Sequence, residues 1–130
     1  MGPTILIIED NEQNSYLERY ILEKKGCAVV CAPDGLTGLS MAENESPDVI
    51  LLDIQLPGMD GYEVAKRLRA CPACASVPII AVTSYAMAGD RERILAAGAD
   101  DYMEKPIDPS SFAERVLAQV PAAKGGLKDA

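Results

Sequence analysis

Several short stretches of this chain are apolar without interruption: Thr4-Ile5-Leu6-Ile7-Ile8, Ala28 to Ala32, Val49-Ile50-Leu51-Leu52 and Ile79-Ile80-Ala81-Val82. A strand can be apolar at every residue only where both of its faces are covered, as in a parallel sheet held between helices. These runs, with a shorter one around Tyr102-Met103, alternate with helical patterns five times. The chain therefore reads as a doubly wound α/β domain and not as a bundle or a sandwich.

The helices have recognisable ends. Asn11 to Lys25 carries Leu17, Tyr20, Ile21 and Lys24 at helical spacing and stops at Gly26, which tolerates the left-handed conformation of a helix terminus. Leu36, Leu39 and Ala42 mark a second helix that Ser46-Pro47 ends. Tyr62, Ala65 and Leu68, with Val64 beside them, mark a third, entered through a sharply turned loop containing Pro57, Gly58 and Gly61. A fourth runs from about Ala88 to Ala97 and stops at Gly98. The fifth is predicted to open with Asp108 as N-cap and Pro109 at its first position, turning Phe112, Val116 and Val120 inward. The 130 residues suit one domain over 1–120, with no room for an output domain and a flexible tail at 121–130.

In an open α/β sheet, ligands bind outside the carboxyl ends of the strands. The first apolar run gives out into Glu9-Asp10, the third into Asp53, the fourth into Thr83-Ser84 and the last into Lys105-Pro106. Singly, each has an ordinary reading: Asp10 or Asn11 caps a helix, Thr83 ends a strand, Lys105 is solvated. Jointly they place three carboxylates, a hydroxyl and an ammonium along one sheet edge. Crowded carboxylates raise a pKa or demand a cation, and carboxylates with backbone carbonyls suit a hard, oxygen-loving ion such as Mg2+. Mg2+ commonly completes its shell with phosphate oxygens, so the edge points to phosphoryl transfer with Asp53 as nucleophile. Asp10 and Asp53 would hold the metal directly and Glu9 through a water, while Lys105 and Thr83 would face phosphoryl oxygens.

Composition removes the rival chemistries. The chain has no histidine, which excludes a Ser-His-Asp triad, a histidine metal site and a phosphohistidine of its own. A formal charge of -8 disfavours nucleic acid and anionic membrane as partners. No apolar run approaches the roughly 20 residues of a membrane span, and no leader is recognisable, so a cytoplasmic location is expected. Cys71-Pro72-Ala73-Cys74 follows a helix where redox motifs open one, and Cys27 and Cys31 lie in a strand-like run; both pairs read as buried or incidental thiols.

Four segments together resemble the receiver domain of two-component response regulators, the CheY-like family. They are Ile7 to Asn11, Leu52 to Gly61, Pro78 to Thr83 and Gly98 to Pro106. Glu9-Asp10-Asn11 and Tyr85-Ala86-Met87-Ala88-Gly89-Asp90 are similar to single-domain DivK-type regulators and to the receivers of hybrid histidine kinases. The resemblance implies a five-stranded parallel sheet in the order 2-1-3-4-5 with five helices. It implies phosphorylation of Asp53 by a histidine kinase or histidine phosphotransferase, with Mg2+ held by Asp10, Asp53 and the Gln55 carbonyl. It further implies a cis peptide at Lys105-Pro106 and switching through Thr83 and Tyr102 that alters a face of helix four, strand five and helix five. Gln55 and Tyr85 occupy positions that tune dephosphorylation, and the implied state is a monomer or a phosphorylation-dependent homodimer.

Three alternatives are weaker. A haloacid-dehalogenase-type phosphatase needs a second aspartate where Gln55 stands. A flavodoxin-like FMN module needs a phosphate cradle where Glu9-Asp10-Asn11-Glu12 is acidic. An interaction module indifferent to phosphate has no use for Asp53, Thr83 and Lys105 together. The expected protein is thus a phosphoacceptor switch and not a metabolic enzyme, either free-standing or detached from a hybrid kinase.

Overall fold

A computed structural model describes residues 2–84 and 89–121. The order of elements is β1 (Thr4–Ile8), α1 (Glu12–Lys24), β2 (Ala28–Ala32), α2 (Gly35–Glu45), β3 (Val49–Asp53), α3 (Gly61–Ala70), β4 (Ile79–Thr83), α4 (Asp90–Ala97), β5 (Asp101–Glu104) and α5 (Phe112–Leu117). All strand pairings are parallel, in the order β2-β1-β3-β4-β5. This is the doubly wound sheet that the uninterrupted apolar runs predict.

Alternation along the strands divides the core in two. Leu6, Ile8, Ile50, Leu52, Ile79 and Ala81 pack with residues of α2, α3 and α4 on one face. Ile5, Ile7, Val49, Leu51, Ile80, Val82 and Met103 pack with Leu22 of α1 and with Phe112, Ala113 and Val116 of α5 on the other. Successive strand residues point to opposite sides, so both faces are filled by side chains of the same strands.

Three helices differ in detail from their sequence patterns. In α1, capped by the Asn11 side chain on the Asn14 N–H, the buried residues are Glu18 and Leu22, while Leu17 and Tyr20 are exposed. The apolar positions are too spread around the helix to define its inner side, and Leu22 with its i-4 neighbour does so instead. In α2, Leu36 is 66% exposed and Gly35, Gly38 and Ala42 face inward. Close approach explains this, since a Cβ on Gly38 would lie 2.5 Å from Ile8 Cδ1. In α5 the regular helix begins at Phe112, because Asp108 Oδ1 accepts from the Ser110 N–H and hydroxyl and holds residues 109–111 as a turn. The fourth helix is described from Asp90; Ala88, and the proposed tail beyond Pro121, lie outside the described residues.

Arg69, in the last turn of α3, ties the sheet end opposite the site. It donates to Gly98 O (2.8 Å), Val77 O (2.7 Å) and Ala75 O (3.2 Å) and pairs with Asp100, whose Oδ2 also accepts from Ile79 N (2.9 Å). Removing a guanidinium that satisfies several carbonyls orphans them together. Arg69→Met is expected to lower stability by about 2–4 kcal/mol in urea unfolding with an unchanged m-value; a loss below about 0.5 kcal/mol would contradict this role.

Candidate functional site

The strand register builds the site. Ile8 pairs with Leu52, so Glu9 and Asp53 leave the sheet side by side. Glu9 continues the alternation of Ile5 and Ile7, Asp53 that of Val49 and Leu51, and Lys105 that of Met103, so all three belong to the α1/α5 face. Glu9 and Asp53 are buried, Asp10 is exposed at the mouth, and one carboxylate oxygen from each lies within 4.8 Å of the others.

Lys105 Nζ lies 2.9 Å from Glu9 Oε1 and 3.3 Å from Asp53 Oδ2. Each buried carboxylate uses its second oxygen on a backbone N–H two residues on: Asn11 N donates to Glu9 Oε2 (3.1 Å) and Gln55 N to Asp53 Oδ1 (3.0 Å). One ammonium among three carboxylates leaves the crevice net negative. Burial, then the Glu9 charge, push the Asp53 carboxyl above the usual range despite Lys105. Burial alone would pull Lys105 down, but its hydrogen bond to Glu9 and the charges of Asp53 and Glu9 outweigh that and hold the ammonium up.

The surrounding backbone is fitted closely. Gly61 opens α3 against the end of β3, where a Cβ would lie 2.5 Å from Ile54 Cα and 2.8 Å from Asp53 O. Its N–H donates to Ile54 O at 3.0 Å, and the Asp60 side chain caps the helix on the Glu63 N–H at 3.0 Å. The turn that the Pro57-Gly58-Gly61 pattern predicts thus packs directly beneath Asp53. The Lys105-Pro106 peptide is cis.

A cleft of about 240 Å³ is lined by Glu9, Asp10, Asp53, Gln55, Ser84 and Lys105 among others. Thr83 is 1% exposed and does not line it. Its parity is that of Ile79 and Ala81, toward α3 and α4, and its Oγ1 accepts from Gln55 Nε2. Tyr102 pairs with Ala81 and packs half-buried against that same face. Tyr85 lies outside the described residues. Cys71 and Cys74 sit beyond α3, away from the cleft; all four cysteines are free thiols, and Cys71 Sγ donates to Glu43 Oε2 at 3.3 Å.

Sequence reasoning missed Glu18. This α1 carboxyl is 3% exposed beneath the crevice, and burial, then the Glu9 charge, push it up to about 8. The one signal in the sequence is its i-4 relation to Leu22, and a carboxylate is not ordinarily found on an inward stripe.

The three carboxylates, with Asp10 exposed at the mouth, form an all-oxygen donor set that fits Mg2+. Residues 5–117 match the response regulator receiver domain family. The polar-differentiation response regulator DivK of Brucella anthropi is 41% identical over 116 residues, covering 89% of this chain and 94% of that protein. The receiver domain of a sensor histidine kinase from Pseudomonas aeruginosa PAO1, solved with a magnesium ion coordinated in its active site cleft, is 36% identical. It has a TM-score of 0.84 and covers 92% of this chain and 98% of that one. A CheY-like receiver domain protein from Methanospirillum hungatei JF-1 is 32% identical, with a TM-score of 0.84, over 92% of this chain and 94% of that one. Receiver domains generally act as phosphoacceptor switches, bind Mg2+ in the active site, and interact with histidine kinases or phosphotransferases and with downstream targets. A match that spans the whole sheet and both covering layers makes the assignment plain: the chain belongs to the response regulator receiver domain family of two-component signalling.

Proposed function

We propose that this protein accepts a phosphoryl group on Asp53 from the phosphohistidine of a histidine kinase or histidine phosphotransferase. The observation that carries the reading is a buried carboxylate at the end of the central strand, facing a lysine it must share with Glu9. An Asp53 oxygen attacks phosphorus, the O–P bond forms, and the N–P bond breaks with imidazole as leaving group. Lys105 favours the ionised carboxylate before transfer and offsets phosphoryl charge after it. The Gln55 N–H fixes the orientation of the group through Asp53 Oδ1. Asp10, Asp53 and the Gln55 carbonyl would hold Mg2+, with Glu9 acting through water. When bound, the ion supplies positive charge against the phosphoryl oxygens.

The added charge draws the Thr83 hydroxyl toward Asp53 and Tyr102 inward, changing the α4, β5 and α5 face presented to a downstream protein. The reading places the protein in the cytoplasm, with a receiver unit reaching about residue 120, as a monomer or a phosphorylation-dependent homodimer and without nucleic-acid or membrane partners. Among the described residues no helix is long and apolar enough to cross a membrane. Self-catalysed phosphorylation and autodephosphorylation are its only proposed chemistry.

Beryllofluoride with Mg2+ mimics the acyl phosphate. In an amide NMR titration, signals near Asp10, Asp53, Thr83, Tyr102 and Lys105 are expected to shift only when both reagents are present, and not in Asp53→Asn. Mg-dependent phosphorylation retained by Asp53→Asn would refute the assignment.

Glu18 sets a second expectation. Its folded pKa of about 8 lies above the 4.5 of an unperturbed glutamate, so the folded chain holds a proton that the unfolded chain has released. Its contribution to stability is therefore highest below pH 4.5 and declines as pH rises to about 8. Glu18→Leu should raise the melting temperature more at pH 8 than at pH 5, a gain on the order of a few kcal/mol at the higher pH. Equal gains at both pH values would show that the Glu18 proton is not retained on folding.

A further inference from the structure

Gln55 contacts the site twice, through its backbone and through its side chain. The Ser84 N–H donates to Gln55 Oε1 at 3.0 Å, and because a backbone N–H can only donate, this bond fixes the orientation of the amide. The NH2 group is thereby turned onto Thr83 Oγ1, to which it donates at 2.5 Å. One side chain from the loop after β3 thus ties down two consecutive residues at the end of β4.

This bridge stands between two groups that the proposed reaction must bring together. Asp53 belongs to the α1/α5 face and Thr83 to the face of α3 and α4. Gln55 and Ser84 line the cleft while Thr83 lies behind them, 1% exposed. Drawing the Thr83 hydroxyl toward a group on Asp53 pulls it away from the Gln55 amide, which holds it on the other face.

We infer that Gln55 is a positioning residue whose side chain latches Thr83 and Ser84 in the resting arrangement and so sets the proportion of switched molecules. The inference rests on the proposed roles of Asp53 and Thr83. It assigns the amide a task separate from that of the Gln55 carbonyl, which every substitution at this position retains. Both bonds are made in the resting state and at least the Thr83 bond is lost on switching, so removing the amide favours the switched state.

The test compares Gln55→Met, which keeps the length and bulk of the side chain without its hydrogen bonds, with Gln55→Ala and the wild type. The readout is the position of the Thr83, Ser84 and Tyr102 amide signals on the line between free protein and protein saturated with beryllofluoride and Mg2+. In both variants the signals of the free protein are expected to move toward the saturated end. Half-saturation should require roughly 5- to 30-fold less beryllofluoride at fixed Mg2+. A merely structural role would lower the melting temperature without moving these signals along that line. Unchanged positions and saturation, or a need for more beryllofluoride, would overturn the latch while leaving phosphorylation of Asp53 standing. A wild type that does not respond to the two reagents at all would overturn both.

Discussion

The structure of the site depends on one half-buried ammonium. Lys105 sits between Glu9 and Asp53, at 2.9 and 3.3 Å, and without it two buried carboxylates would face each other across adjacent strand ends. Such a bridge is weak evidence of net stability, because desolvating three charged groups consumes much of the Coulomb gain. What it provides is geometry. Lys105 follows β5, which is separated from β3 by β4, so the two backbones lie two strand spacings, about 10 Å, apart, a gap that the lysine stem and the Asp53 side chain close together. A long, flexible side chain ending in a compact charge meets that demand, and the parity of Met103 directs it to the face where Asp53 lies.

Burial makes the compensation incomplete, and that incompleteness is where function enters. Burial and the neighbouring Glu9 charge hold the Asp53 carboxyl above its ordinary range, and Glu18 beneath it lies higher still, at about 8. An apolar residue at position 18 would extend the packing of Leu22 toward the crevice at no ionic cost. The chain instead stacks acidic groups in depth beneath a single lysine, giving up stability at the place where the proposed function would receive a cation and a phosphoryl group. Local rules of foldability are broken most often at sites of this kind.

How much could be read beforehand follows from the same physics. β1, β3 and β4 were legible because strands buried on both faces admit little but apolar residues, and each gives out at a polar residue. The strand-end positions of Glu9, Asp10, Asp53, Thr83 and Lys105 followed from that. Helix faces were less legible. Leu17, Tyr20 and Leu36 look like core and are exposed, since packing against a sheet selects a side of the helix by fit, as Gly38 against Ile8 shows, and not by counting apolar residues. Glu18 was invisible because patterning assigns carboxylates to solvent. The bond from Gln55 to Thr83 joins residues 28 apart through a loop rotamer, and no local spacing encodes it.

The two faces of the sheet also bear on how the proposed phosphorylation of Asp53 would become a mechanical event. Asp53 and Val82 are register partners, yet the carboxylate and the Thr83 hydroxyl emerge on opposite sides because they differ by one residue in parity. Tyr102 shares the side of Thr83, opposite the small Ala81, and so lies on the layer that α4 covers. Under the proposed phosphorylation, a group added to Asp53 would meet Glu9 and Lys105 on the α1/α5 side, while Thr83 and Tyr102 on the opposite side would carry the change toward α4 and β5. The strand ladders end at Asp53 and Thr83. There the side chain of Gln55 crosses from the loop after β3 to Thr83 and Ser84, joining the two strand ends on which the proposed switch depends.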